Sequence, residues 1–380
     1  MTTTLIGLAC GMLAAIGVAY TAIAAILVMR FAGRPLLPHP AAEAVTILKP
    51  LHGAEPRLAD NLATFLDPRW EAPIQLLCGV GSGTDDAAAA VTNLRSRRPD
   101  ADIALVDDER RHGSNGKVGN LVNMMEAARH DVLILSDSDI VAPDSYLPQV
   151  VAALRQQGVG AVTCLYRGRG DAGFWSVLGA AGLSWQFLPN VIVSRALDAG
   201  GACMGSTIAL TRETLAGIGG FERFTDMLAD DHAIGAAVRE AGLAIAVPPI
   251  VVTHASAERS FGELLRHELR WAATVRQLKP AGYAGMAVTH PIPFALLMLA
   301  LMPGTGGWLL AGAIAARLLL LRAVNRLCSE RTASAWLLPL RDMLSFLVFL
   351  GGFMTGSVDW RGERLRMERR GRISAMAEIR

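Results

Sequence analysis

The sequence is short of charge and has no cysteine pattern that indicates a site. Of its 380 residues 18% are charged, against a usual share of about 25%, and 52% are hydrophobic. The five cysteines lie far apart without a C-x-x-C pair, so neither a zinc site nor a disulfide framework is indicated, and a reducing compartment fits. A formal net charge of +2 gives little general attraction for nucleic acid, and no nucleic-acid partner is expected.

Repeats and disorder-prone tracts are also missing. The 38 glycines and 18 prolines are dispersed without a repeat period, which argues against a coiled coil or a disordered tail. A mean hydropathy of +0.35 is too high for an ordinary soluble enzyme, yet the chain is long enough to fold around a core. We therefore expect a globular domain attached to membrane segments.

The first long apolar segment covers residues 5–29 and carries no charge. Its helical length of about 38 Å exceeds the roughly 30 Å hydrocarbon core of a bilayer, which predicts a transmembrane helix. A cleaved signal peptide is the alternative, but no basic residue precedes the segment, and the apolar part of such a peptide is about 7–15 residues long. Because Arg30 and Arg34 follow the segment, the positive-inside rule places the next part of the chain in the cytoplasm.

A second apolar region follows Tyr283 and contains three blocks, at residues 286–302, 306–321 and 336–354. We expect two or three membrane passes. Three full passes would leave the basic tail outside, so we interpret the third block, which Arg341-Asp342 interrupts, as interfacial or re-entrant. The predicted divisions are an N-terminal transmembrane helix with its basic flank (1–37), a cytoplasmic catalytic domain (38–280), C-terminal membrane segments (281–358) and a basic tail (359–380).

The region between the apolar segments alternates short β-branched runs with longer helical patterns and predicts an α/β domain. Ligands of such sheets bind at the carboxyl ends of the strands. A charged, glycine-containing segment, residues 79–86, overlaps the end of the second predicted strand and follows it, and a charged segment, residues 136–139, follows the fourth. The predicted strands are 45–48, 74–80, 103–106, 132–135, 159–165 and 245–252, and the predicted helices are 87–98, 118–128 and 229–240.

Asp137 and Asp139 directly follow an unbroken apolar strand pattern. Residues i and i+2 of an extended segment point to the same side, so both carboxylates are able to bind one hard divalent cation, Mg²⁺ or Mn²⁺. Such a cation would neutralise a diphosphate leaving group. The alternative is an acidic turn of purely structural importance.

A second acidic pair, Asp230-Asp231, begins a helical pattern. Acidic residues in the first turn of a helix complement its dipole, which is the structural alternative. The glycine-rich, apolar approach to the pair favours a functional interpretation. A carboxylate beside a bound sugar would act as general base toward an acceptor hydroxyl.

Two further segments carry candidate ligand contacts. Residues 261–278 form an amphipathic pattern, either an interfacial helix or a helix on which Arg270 contacts diphosphate and Trp271 walls the acceptor site. Lys117 follows a glycine-containing loop and opens a helical pattern, where it would meet a phosphate. The P-loop pattern is absent because Val118 follows the lysine, so a solvated lysine is the alternative.

Taken together, these residues resemble the ceramide glucosyltransferase family of membrane glycosyltransferases, which have a GT-A type, Rossmann-like catalytic domain. The likeness runs from residues 45–65 to residues 360–367 and so covers nearly the whole chain. His267 stands where the family's last motif has Gln or Arg, although Arg266 lies beside it. The resemblance implies a nucleotide contact at Asp85 or Asp86, metal and diphosphate contacts at Asp137 and Asp139, the base at Asp231, and the last motif at Arg270-Trp271.

Three segments, 164–170, 265–271 and 280–291, are more similar to the bacterial hopanoid-biosynthesis branch of this family. That resemblance implies transfer of N-acetylglucosamine from UDP-GlcNAc to the membrane lipid bacteriohopanetetrol. It also implies a multi-pass protein of the bacterial inner membrane whose catalytic domain faces the cytoplasm, where UDP-sugars occur.

Three other functions stay open from the sequence. Ceramide glucosylation with UDP-glucose is the nearest alternative. Processive polysaccharide synthesis needs a chain-conducting pore, for which three or four apolar segments are few. A transporter or membrane binding module would leave Asp137, Asp139 and Asp231 unrelated, and few intramembrane ionisable residues support it.

Overall fold

The computed structural model describes residues 2–53, 55–197 and 201–355, together with the backbone of three short strands beyond residue 357. Its contacts divide the chain into two compact units. Unit 1 consists of Met1–Arg34, Arg167–Ala199 and Glu258–Arg370, and unit 2 of Pro35–Tyr166, Gly200–Ala257 and Gly371–Arg380. Most of the predicted basic tail (359–380) lies outside the described residues.

The strands are short, and most of them belong to unit 2. In chain order they are Val45–Pro50 (β1), Ile74–Val80 (β2), Asp102–Asp107 (β3), Val132–Leu135 (β4), Ile140–Val141 (β5), Val159–Val162 (β6), Leu165–Gly170 (β7), Ile208–Thr211 (β8), Ala244–Ala246 (β9), Val251–Ser256 (β10), Val358–Trp360 (β11), Glu363–Met367 (β12) and Ile373–Ala375 (β13).

The described part of unit 2 contains a seven-stranded mixed sheet in the order β3-β2-β1-β4-β8-β6-β9. β1 runs parallel to β2 and β4, and β2 runs parallel to β3. β8 is antiparallel to both β4 and β6. This sheet confirms the predicted α/β class, and it brings the carboxyl ends of β1, β2 and β4 to one edge.

Some predicted strands have the predicted bounds and others are divided. β2 and β4 match because they are mostly apolar and almost wholly buried; the one polar side chain, Gln75 of β2, is buried and hydrogen-bonded to Thr46. The predicted strand 245–252 is wrong as a single element, since Pro248 and Pro249, which lack an N–H to donate, separate β9 from β10. The predicted strand 159–165 is likewise divided into β6 and β7, and β8 was not predicted.

The helices cover the sheet of unit 2 and form most of unit 1. In chain order they are Thr2–Ala32 (α1), Leu58–Ala63 (α2), Asp86–Arg97 (α3), Gly116–Met124 (α4), Tyr146–Leu154 (α5), Phe174–Gly182 (α6), Leu188–Ala196 (α7), Arg212–Gly217 (α8), Asp230–Glu240 (α9), Phe261–Leu278 (α10), Pro280–Gly285 (α11), Pro291–Leu301 (α12), Pro303–Cys328 (α13) and Leu338–Met354 (α14).

Unit 1 holds the helices that are long and apolar enough to cross a membrane. Within the described ranges there are four: Thr2–Ala32, Phe174–Ala196, Pro303–Cys328 and Ala335–Met354. A further apolar pair, α11 with the turn after it and α12, is bent by 62°. The helix Phe174–Ala196, which contains a π-helical turn at Leu183–Phe187, was not predicted, because it lies inside the region read as a cytoplasmic domain.

The charges in the third C-terminal apolar block are buried in ion pairs. Asp342 accepts two hydrogen bonds from Arg317, at 2.6 and 2.8 Å, and both side chains are about 3% exposed. Arg341 donates to both carboxylate oxygens of Glu268 and to Ser345. The charges that suggested an interfacial or re-entrant block are therefore neutralised inside unit 1, and they are no obstacle to a membrane span.

Removing one partner of the Arg317–Asp342 pair is expected to destabilise unit 1 strongly. Asp342→Ala leaves a buried guanidinium without its counter-ion, and we expect a loss of about 3–5 kcal/mol in the free energy of unfolding. Arg326→Ala, an exposed change on the same helix, is expected to stay within about 0.5 kcal/mol of the parent. Unfolding in one detergent measures both, and the double variant Arg317→Met/Asp342→Ala is expected to recover part of the loss. If Asp342→Ala were as stable as the parent, the Arg317–Asp342 pair would not stabilise unit 1 in this way.

Candidate active site

Asp137 is the second residue after the carboxyl end of the buried strand β4. Its backbone N–H donates to the carbonyl of Gly205 at 3.1 Å, and the preceding Ser136 N–H donates to Leu48 on β1. Its side chain keeps about a third of its surface exposed. The first predicted metal ligand therefore lies at the sheet edge where ligands of such folds bind.

Lys117 lies among carboxylates near the start of α4. Asn115 caps that helix by accepting from the backbone N–H groups of Lys117 and Val118. The ammonium group lies 2.6 Å from Asp137 Oδ1 and 3.1 Å from Asp230 Oδ2. Burial by itself would lower the pKa of Lys117, but the two carboxylates outweigh it and raise that pKa. The alternative of a solvated lysine is therefore wrong.

Asp230 and Asp231 occupy the first turn of α9 and have different surroundings. Asp230 is buried and faces Lys117, whereas Asp231 accepts from the Gly205 N–H at 3.1 Å and from the His232 N–H at 2.7 Å. Burial first, and then the charge of Asp230, raise the pKa of Asp231 to about 6. A carboxylate with this pKa is deprotonated at neutral pH and is more basic than an ordinary aspartate, as a general base requires.

Gly205 joins the two acidic motifs through its backbone. Its carbonyl accepts from the Asp137 N–H, and its N–H donates to Asp231. A Cβ atom at this position would lie 2.4 Å from Asp137 Oδ2, so any larger residue would force that carboxylate to move. Gly205, one of the glycines in the segment before Asp230, therefore allows close contact between its peptide groups and two carboxylates.

Asp139, the second predicted metal ligand, lies 3.0 Å from His254 Nε2. His254 is on β10, which pairs with β5 directly after Asp139, and its ring stacks on that of Tyr166 at 5.9 Å. The sequence analysis did not identify His254 as a site residue. The signal available was a lone histidine in a β-branched run, which is ambiguous without the strand pairing.

Lys49 and Glu55 are two further titratable residues beside this site that the sequence analysis missed. Lys49 is fully buried at the end of β1 and donates to Ser136 Oγ and to the Asp137 carbonyl, at 3.0 and 2.8 Å. Burial lowers its pKa to about 7, against the opposing effect of the carboxylates. Burial, together with the charge of Asp139, raises the pKa of Glu55 to about 7. Groups perturbed in this way mark candidate functional sites.

Asp85 and Asp86, the predicted nucleotide contacts, lie at the start of α3. Asp85 caps that helix by accepting from the Ala87 N–H, and the same oxygen accepts from the Gly53 N–H at 2.8 Å. Asp86 is exposed in the first turn. Both lie after the carboxyl end of β2, and their nucleotide contacts stay a prediction.

Two carboxylates are available for a divalent cation, and their chemistry fits one. In the part of the chain that the structure describes, no cluster of three or more His, Cys, Asp or Glu residues forms a complete metal site. Mg²⁺ usually takes one or two carboxylates and completes its shell with water and substrate phosphates. Asp137 and Asp139 supply that number of hard oxygen ligands, so they fit a cation that binds together with a diphosphate.

The third predicted cluster lies on α10, in unit 1. His267 Nδ1 is 2.5 Å from Glu258 Oε1, and its ring meets the edge of Trp271 at 4.8 Å. Arg270 is half-buried on the same helix. Between these residues Glu268 pairs with the buried Arg341, which ties α10 to α14. The ligand contacts of Arg270 and Trp271 stay a prediction, and so does the alternative of an interfacial helix.

The sequence has recognisable relatives. The profile described as Glycosyl transferase family 21 matches residues 9–373. Ceramide glucosyltransferases 1 and 3 of Caenorhabditis elegans are 25% and 24% identical over 212 and 232 residues, which cover 55% and 60% of this chain and 45% and 49% of theirs. This chain thus spans about half the length of these relatives.

A solved structure has a similar fold. The mannosyltransferase PcManGT from Pyrobaculum calidifontis, in complex with GDP-Man and Mn²⁺, superposes with a TM-score of 0.52 at 23% identity. The match covers 90% of this chain and 98% of that one. This likeness confirms the predicted GT-A-like architecture.

Proposed function

This chain belongs to Glycosyl transferase family 21, and we propose that it transfers a sugar from a UDP-sugar to a hydroxyl group of a membrane lipid, with inversion at the anomeric carbon. The acidic cluster at the sheet edge carries the proposal. There the Gly205 peptide links Asp137 to Asp231, and Lys117 lies between Asp137 and Asp230. The apolar helices of unit 1 support a lipid acceptor.

Asp231 is the proposed general base. It removes the proton from the acceptor hydroxyl while that oxygen bonds to the anomeric carbon and the bond from that carbon to the diphosphate breaks. Its two backbone hydrogen bonds hold the carboxylate in one orientation. Asp137 and Asp139 are the proposed ligands of a Mg²⁺ or Mn²⁺ ion, which would offset the charge on the departing UDP.

We propose N-acetylglucosamine as the sugar and bacteriohopanetetrol as the lipid, on the resemblance of three segments to the bacterial hopanoid branch. The corresponding location is the bacterial inner membrane, with residues 38–280 facing the cytoplasm. Ceramide glucosylation from UDP-glucose is the second candidate, and the names of the Caenorhabditis elegans relatives favour it.

Product analysis separates the two candidates. Purified protein is incubated with UDP-GlcNAc or UDP-glucose and with bacteriohopanetetrol or ceramide, and the lipids are analysed by mass spectrometry. We expect an N-acetylhexosamine on bacteriohopanetetrol, in the β configuration if the donor is α-linked. If a hexose were added to ceramide and no sugar to bacteriohopanetetrol, the function would instead be ceramide glucosylation. An Asp231→Asn preparation controls for contaminating activity.

Arg270 is expected to be sensitive to a conservative change. If it makes directed hydrogen bonds to diphosphate, as the family resemblance implies, Arg270→Lys should slow turnover on the order of 10–100-fold, because hydrogen bonds to charged groups are worth about 1.5–3 kcal/mol. Arg266→Lys, an exposed change on the same helix, is the matched control and should stay near the parent rate. Initial rates and membrane association are measured for both. Unchanged turnover in Arg270→Lys would favour a surface role.

A further inference from the structure

We propose that a groove in unit 1, separate from the acidic cluster, binds the headgroup of an anionic phospholipid. The groove has a volume of about 950 Å³, which lies within the range of small-molecule sites. It runs along one side of α13 and the loop that follows that helix. Its lining residues are Ala315, Leu318, Leu319, Leu321, Arg322, Asn325, Arg331, Ala333, Ser334 and Ala335.

The groove has an apolar part and a polar part, which correspond to the acyl chains and the headgroup of a phospholipid. Alanine and leucine side chains of α13 form an apolar wall, and beyond it lie Arg322, Asn325, Arg331 and Ser334. None of the described residues that line the groove is acidic. Within the described chain, neither Arg322 nor Arg331 has an ion pair or a hydrogen bond through its side chain. Two guanidinium groups beside a hydrogen-bonding amide and a hydroxyl are suited to a phosphodiester.

The loop that carries Arg331 is held in place by its neighbours. Ser329 ends α13 in the left-handed conformation, with φ of 56°, which turns the chain back. Glu330 pairs with Arg167, and the hydroxyl of Thr332 hydrogen-bonds Ser184 at 2.7 Å. Arg331 thus lies between two anchored residues, yet it makes no such contact itself. A preorganised cation of this kind costs little ordering on binding.

α13 is long enough for its last turns, which carry Arg322, to extend beyond the hydrocarbon core to the depth of lipid headgroups. The helix has 26 residues and is therefore about 39 Å long, more than the roughly 30 Å hydrocarbon core. Arg322 lies in its last two turns, and leucines that remain exposed precede it along the helix. Basic pockets at the ends of membrane helices are a recurrent setting for anionic headgroups.

An anionic phospholipid fits the groove better than the acceptor lipids considered above. Bacteriohopanetetrol and ceramide carry hydroxyl groups but no charge, so neither would compensate two arginines. Phosphatidylcholine carries its own cation, which reduces its net attraction to such a site. We therefore commit to a lipid such as phosphatidylglycerol.

Lipid titration of the purified full chain tests the proposal. The protein in neutral detergent is titrated with phosphatidylglycerol or phosphatidylcholine, and bound lipid is measured by native mass spectrometry alongside the melting temperature. We expect a saturable phosphatidylglycerol site and weaker binding of phosphatidylcholine. Each of Arg322→Gln and Arg331→Gln should weaken the site about fivefold, and the double variant about thirtyfold.

Arg326→Gln is the matched control, because Arg326 is an exposed arginine of the same helix that does not line the groove. It should bind phosphatidylglycerol like the parent. Equal losses in all three single variants would indicate general surface attraction and overturn the proposal. Equal binding of both lipids, or displacement of phosphatidylglycerol by bacteriohopanetetrol, would overturn it as well, the latter by assigning the groove to the acceptor.

Discussion

Asp231→Asn is expected to slow sugar transfer by about 10²–10⁴-fold, the usual range for loss of a positioned general base, while UDP-sugar still binds with near-normal affinity. Asparagine keeps the shape of the side chain and removes its basicity. The carboxylate of Asp231 accepts hydrogen bonds from the backbone N–H groups of Gly205 and His232. In the variant, the amide nitrogen of asparagine will face one of these two donors and lose that hydrogen bond. Equal folded concentration is therefore verified by melting temperature before donor affinity and initial rates are compared.

Asp230→Asn is the matched control at the neighbouring position. Asp230 is buried and pairs with Lys117, which also has Asp137 as a partner, so its replacement should cost less than that of Asp231. If Asp230→Asn were inactive and Asp231→Asn kept the parent turnover, the two roles would have to be exchanged. Full activity in both variants would leave the pair with helix-dipole stabilisation alone.

The same assignment predicts a pH dependence. The pKa of Asp231 is raised to about 6 by burial and by the charge of Asp230. A base works when deprotonated, so kcat/KM should fall as the pH decreases through about 6. Asp230→Asn removes one of the two causes and should shift this acidic limb to lower pH. A limb that stays in place in that variant would contradict the coupling of the two carboxylates.

Removal of divalent cations is expected to abolish turnover, and Mg²⁺ or Mn²⁺ should restore it. Asp137 and Asp139 are hard oxygen ligands, and a cation bound by two carboxylates depends on the donor diphosphate for further ligands. Asp139→Ala and Asp137→Ala should each weaken metal-dependent UDP binding. Calorimetric titration of UDP with and without the metal measures this loss directly.

The control for these variants is Asp144→Ala, which removes an acid that is 89% exposed on the same unit. It should leave UDP affinity unchanged. Asp137→Ala also removes a carboxylate from Lys117, and Asp139→Ala removes one from His254, so the melting temperature of each variant is compared with that of the parent. Full UDP affinity in both variants, or full activity in excess EDTA, would rule out the metal assignment.

The sequence alone determined the features that depend on near neighbours along the chain. β2 and β4 have their predicted bounds because a predominantly apolar run of strand length is recognisable from its own residues. The first apolar helix, Thr2–Ala32, was predicted from its length and lack of charge. The D-x-D pair and the acidic pair were likewise identified from local pattern.

The tertiary structure alone decided which of these residues meet. Lys117 contacts Asp137 and Asp230, and Gly205 joins Asp137 to Asp231, although these residues are far apart in sequence. Such contacts follow from the order of strands in the sheet, including the antiparallel strand β8 inserted beside β4. The apolar and polar periods of a sequence report which face of an element is buried, but not which other element covers it.

The same limit explains the apolar helix Phe174–Ala196 and the ion pairs of unit 1. A segment within a predicted soluble domain gives no local sign that it belongs with helices near both ends of the chain. Arg341 and Asp342 were read as an interruption because a charge in an apolar block is costly when it is alone. Their partners, Glu268 and Arg317, come from other helices, and the tertiary pairing neutralises that cost.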